Sequence, residues 1–126
     1  MDKGLNELAL EIHNNARAHG FHEREINVGE KLMLIVSELA EALEIDRKET
    51  KIIQPFDFEK VEVWNDPIKF KRQFEKYIKD SFGDELADAI IRILDLAAAK
   101  NINIAKHVKL KMKYNSLREY KHGKNY

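Results

Sequence analysis

Cysteine is absent from this chain. That excludes disulfide staples and thiolate metal sites. Proline is scarce, with two residues, and glycine occurs five times in 126 positions. So few breakers leave long stretches free to be helical. A charge excess of one sign is also missing, since 22 basic side chains balance 22 acidic ones. A neutral chain is not a general binder of nucleic-acid polymers, which usually carries a basic excess. No apolar run approaches the roughly 18 residues that a membrane span needs. The first twenty residues include Asp2, Glu7, Glu11, His13 and Arg17, unlike a secretory signal. The expectation is a cytoplasmic protein without a membrane partner.

Hydrophobic residues make up 44% of the chain and charged ones 35%. That balance suits one folded domain over residues 1–126 with a real core. The apolar spacing is helical nearly throughout. A first helix is expected over about Asn6–His19, with Gly20 as the residue that ends it. A second runs over about Val28–Asp46, with Asn27 and Glu30 as a capping pair. Its apolar side is Leu32, Ile35, Val36, Leu39 and Leu43. Residues 47–65 read as a long intermotif loop, with Val61–Trp64 alternating as a short extended piece would. Asp66 and Pro67 open a third helix, Glu85–Ala99 forms a fourth, and Asn103 caps a last one. The expected class is an all-α bundle of four to five helices. A single chain offers few helices for so much apolar surface, so subunits complete the core, as a homodimer or homotetramer.

Two acidic pairs stand within these helices. Glu38 and Glu41 lie in the run Val36–Leu43, and Glu85 and Asp88 lie in Gly83–Ile90. Residues three apart share a helix face, roughly 5–6 Å apart at Cβ. Each pair aims two carboxylates one way, amid residues that favour burial. Like charges buried together are costly unless a cation or proton compensates. Two such pairs facing each other make an oxygen-rich cage suited to Mg²⁺, with Mn²⁺ as a substitute. A di-iron bundle needs Glu-x-x-His on two helices. Here Glu119 and His122 form the one such pair.

From Lys106 to Tyr126 the chain holds seven Lys or Arg against one acid, Glu119. Hard cations facing a basic tail, about residues 113–126, point to phosphoanhydride chemistry. Carboxylates activate water, directly or through a metal, and cations stabilise the leaving phosphate. No Gly-x-x-x-x-Gly-Lys loop is present, which excludes a P-loop enzyme.

The runs Leu34–Leu43 and Asp84–Ile91 together resemble the MazG-like nucleotide pyrophosphohydrolases. The relatives of that family include dimeric dUTPases and phosphoribosyl-ATP pyrophosphohydrolases. Its signature is Glu-Glu-x-x-Glu, a spacer, then Glu-x-x-Asp. The resemblance implies an all-α MazG-like bundle that hydrolyses a nucleoside triphosphate to the monophosphate and pyrophosphate with metal-activated water. It implies Glu38, Glu41, Glu85 and Asp88 as Mg²⁺ ligands, with Glu38 and Glu41 also as catalytic residues. The first acid of the signature is Ser37 here. Glu44 and Asp84 are nearby substitutes. The tail resembles the family's phosphate-contacting segment, which implies Lys113, Asn115, Arg118 and Lys124 as phosphate contacts. Asn14, Asn15, Phe21 and Trp64 are of the types that hold the base in relatives. His13 is a further candidate, whereas His19 and His22 flank a helix end and need no special role. Two other readings are a phosphoribosyl-ATP pyrophosphohydrolase and a non-catalytic helical oligomer that binds nucleotide or a protein.

Overall fold

The computed structural model describes residues 4–48 and 52–118. Every helix or strand among them is an α-helix. They are α1 (Leu5–Ala18), α2 (Val28–Lys48), α3 (Pro55–Glu62), α4 (Pro67–Tyr77), α5 (Phe82–Ala99) and α6 (Ile104–Ser116). The described residues form an all-α fold, with six helices where four to five were expected. The chain divides into two compact units. One is Ile26–Arg92; the other joins the residues up to Glu25 to those from Ile93 onward. The boundary falls within α5.

In the first unit, α2 starts where the Asn27 side chain accepts from the Glu30 amide at 2.9 Å. Its inward face is Leu34, Ile35, Glu38, Ala42 and Ile45. The apolar row Leu32, Val36, Leu39 and Leu43 instead stands 47–50% exposed. The expected apolar side of α2 is thus mostly outside, and a glutamate is on the buried face.

The stretch expected as loop and extended chain folds as α3. Pro55 occupies its first turn, and the Asp57 carboxylate accepts from the Gln54 amide at 2.8 Å. Val61, 2% exposed, closes the inner side, while Val63 faces out. The alternation of Val61–Trp64 reflects the end of a helix rather than a strand. α3 packs on α4. α4 begins as expected, with Pro67 in the first turn and Asp66 accepting from the Lys69 amide at 3.1 Å.

Between α4 and α5 the chain reverses at Asp80, where φ is +62°. Ser81 then caps α5, its Oγ accepting from the Asp84 amide at 3.1 Å. Gly83 therefore lies inside the first turn of α5.

In the second unit, α1 buries Ala9 and half-buries Ile12, His13 and Ala16, one helical face. Gly20, at φ +84°, ends it. The amide of Phe21 donates to the Ala16 carbonyl at 3.0 Å and that of Gly20 to Arg17 at 3.0 Å, the Schellman pattern. The starts of α1 and α6 are laced together. The Asn6 amide group donates to Asn103 at 2.7 Å and accepts from the Ala105 amide at 2.9 Å.

Candidate metal centre

The carboxylates of Glu38 and Glu41 on α2 and Glu85 on α5 converge. One oxygen of each lies within 4.8 Å of the others. α2 delivers Glu38 because that residue shares the inward face with Leu34, Ile35 and Ala42. α5 delivers Glu85 because Ser81, Glu85 and Ala89, spaced by four, form its buried line. Glu85 is only 4% exposed, and its Oε2 is buried without a hydrogen-bond partner. Leaving a buried acceptor unsatisfied is costly. Burial pushes the Glu85 carboxyl up to about 8, helped by hydrogen bonding with Glu41 and Glu38 and by the charges of Glu41 and Asp88. Near neutral pH it holds a proton.

Asp88 follows one turn along α5 and is half-buried. Its carboxyl is also raised, first by burial, then by the charges of Glu38 and Asp84. Arg92 opposes that rise, and Glu41 adds to it. Asp88 is not within the 4.8 Å group of Glu38, Glu41 and Glu85. A second trio, Asp80, Asp84 and Glu85, meets the same distance limit. Glu85 belongs to both.

Ser37, which stands where the family signature has an acid, lines the acidic depression. That depression has a volume of about 470 Å³ and is walled also by Glu41, Glu44, Asp80 and Glu85. Glu44 lines this depression, and Asp84 belongs to the trio with Asp80 and Glu85. Glu44 also faces Arg47 at 3.8 Å. A larger apolar cavity of about 1040 Å³ shares Ile45 with the depression and is lined by Ile53, Phe58, Phe74, Ile78 and Phe82.

Sequence reasoning did not pair Arg92 with a partner. Its Nε donates to Glu38 Oε1 at 3.0 Å. The available signal was position, since Arg92 follows Asp88 by four and Glu85 by seven. Asp80 was also missed, because its approach depends on the left-handed turn. Asp is among the residues that tolerate such a turn.

The residues expected to contact substrate lie in the other unit. Asn14 is exposed on α1. Lys113 and Asn115 belong to the last turn of α6, where Ser116 Oγ donates to the Lys113 carbonyl at 2.6 Å. The Arg118 guanidinium stacks over the Tyr114 ring at 5.7 Å. Lys124 lies outside the described residues. Asn15 and Phe21 are exposed. In the first unit, Trp64 carries Lys69 over its ring at 5.0 Å.

No protein family, curated protein or solved structure matches this chain.

Proposed function

We propose that this chain is a Mg²⁺-dependent nucleoside triphosphate pyrophosphohydrolase of the MazG-like kind. The observation that carries the reading is the convergence of Glu38, Glu41 and Glu85, with one Glu85 oxygen buried and unpartnered. Such an oxygen, beside two further carboxylates, is satisfied by a proton or a cation. The all-oxygen donor set fits a hard cation, Mg²⁺ or Mn²⁺. Glu38, Glu41 and Glu85 would hold it, with Asp88 on the same face of α5. Bound there, Mg²⁺ neutralises phosphate charge and acidifies water.

The two glutamates of α2 then differ in what they can do. Glu38 is held by Arg92, whose Nε donates to it and fixes its direction. Glu41 is exposed on the wall of the depression. Glu41 is therefore the residue that takes the proton from the attacking water. The water oxygen bonds to the α-phosphorus, and the bond from that phosphorus to the bridging oxygen breaks. The products are a nucleoside monophosphate and pyrophosphate. The apolar cavity beside the depression supports binding of the nucleoside end. Lys113, Asn115, Arg118 and Lys124 carry the phosphate-binding role that the resemblance implies. The exposed row of α2 supports assembly as a homodimer or homotetramer, and the neutral, cysteine-free composition suits the cytoplasm.

The test is pyrophosphate release from a panel of ribo- and deoxyribonucleoside triphosphates, with and without Mg²⁺. Turnover of at least one is expected, and only with the cation. Glu38→Gln and Asp88→Asn are each expected to abolish it while the helical circular-dichroism signal persists. Full activity in either variant, or no turnover of any triphosphate, overturns the reading.

A further inference from the structure

The second unit holds a cluster of a different chemical kind. His13 on α1, His22 in the turn after it and Asp95 on α5 meet side chain to side chain. His13 Nδ1 lies 2.8 Å from Asp95 Oδ1. His22 Nε2 lies 2.9 Å from that oxygen and 2.8 Å from Asp95 Oδ2. The two rings stand edge to face, 4.5 Å between centroids at 64°. The three side chains are only 7–15% exposed.

Local structure explains the meeting. His13 lies on the buried face of α1, between Ala9 and Ala16. The Schellman turn at Gly20 folds the chain back, so that His22 returns toward the ring it follows by nine residues. An added Cβ at Gly20 would sit 3.2 Å from Glu23 Oε1 at a φ of +84°. The turn is thus built around glycine.

We infer that His13, His22 and Asp95 form a site for a divalent d-block cation such as Zn²⁺, separate from the carboxylate centre. One donor atom from each of the three lies within 4.8 Å of the other two. Zinc binds imidazole nitrogen at about 2.0–2.1 Å and carboxylate oxygen at about 2.0–2.2 Å, which puts neighbouring donors of a tetrahedron roughly 3.3–3.5 Å apart. The observed separations to Asp95, 2.8–2.9 Å, need an outward shift of about half an ångström. Imidazole suits Zn²⁺, Ni²⁺, Co²⁺ and Fe²⁺, and does not suit Mg²⁺. Two cations are thereby sorted by ligand chemistry, the hard one to the glutamates and the borderline one to the histidines. Without the cation, each facing ring nitrogen donates a proton to Asp95. With it, each proton resides on the far ring nitrogen and the facing lone pair is given to the metal. Three protein ligands leave coordination positions for water or an added ligand.

The experiment uses the full untagged chain in excess Mg²⁺, with Zn²⁺ or Co²⁺ alone as probe. Side-chain ¹⁵N spectra are expected to show His13 Nδ1 and His22 Nε2 shifting on one equivalent of Zn²⁺, while His19 and His107 stay. Co²⁺ is expected to give a visible ligand-field band at the same stoichiometry. Asp95→Asn and His13→Asn should each weaken Zn²⁺ binding at least about tenfold. Glu85→Gln should leave the response intact, which separates this site from the proposed catalytic one. Imidazole nitrogens of His13 and His22 that do not move in the unaltered chain overturn the assignment, whatever the variants do. So does a Zn²⁺ response that survives both ligand substitutions.

Discussion

Glu85 is a carboxyl group among carboxyl groups, and that company sets its protonation. Unfolded, it titrates near 4.5; folded without a cation, near 8. Between those values the native state holds a proton that the unfolded chain has released. Stability from this group is therefore full below about pH 4.5 and is lost as pH rises through about 8. A glutamine at this position has no proton to lose. Glu85→Gln should melt close to the unaltered chain near pH 5 and above it at about pH 9, by about 1–3 kcal/mol, in chelator. Thermal unfolding across the pH range measures this, and a difference independent of pH contradicts it. Adding Mg²⁺ should then stabilise the unaltered chain more than the variant, because only a state that binds the cation gains by mass action. Spacing alone made these acids legible, since residues three apart on a helix share a face. The Arg92 to Glu38 hydrogen bond was not, because it joins two helices 54 positions apart.

Helix ends were the most readable parts of the elements. Asn27, Asp66 and Asn103 all cap as their residue types predict, and Gly20 terminates α1 with positive φ. The helix α3 was not legible. Eight residues with three aromatics or β-branched side chains carry a weak periodic signal, and packing on α4 decides the outcome. The start of α5 was hidden for another reason. Its cap, Ser81, is fully buried and works together with a left-handed Asp80 whose amide donates to Asp84 at 3.0 Å. This small motif sets where Asp84 and Glu85 begin their rise along α5. Ser81→Ala removes the acceptor for the Asp84 amide at a position closed to water. The expected cost is about 1–2 kcal/mol. Urea denaturation reads it as a lowered midpoint with an unchanged slope. No loss of stability would mean that the Ser81 hydroxyl does not hold the start of α5.

For the molecule as a whole, burial is sparse where hydrophobicity is dense. The buried apolar residues of the Ile26–Arg92 unit are Ile35, Ala42, Val61 and Ala89, mostly small, while larger ones stand in the open. The row Leu32, Val36, Leu39 and Leu43 runs along α2 at spacings of four, three and four, a seam pattern. The sequence led to the expectation of more apolar surface than the four to five helices of one chain bury, but periodicity misassigned the inward side of α2. Two apolar flanks on α2 compete for the interior. The one carrying Glu38 takes it, and the leucine-rich one is left for another surface. Exposed apolar rows of this length are typical of interaction faces. The proposed homodimer would cover it with the same row of a second copy, as a two-fold interface does. Leu39→Glu places a charge in the middle of that seam without touching the inward face of α2. The expected result is a fall in molar mass to the monomer by size exclusion with light scattering, with helical content retained. An unaltered chain that is monomeric at tens of micromolar would show that the row serves something other than self-association. An oligomer that survives Leu39→Glu would place the interface elsewhere.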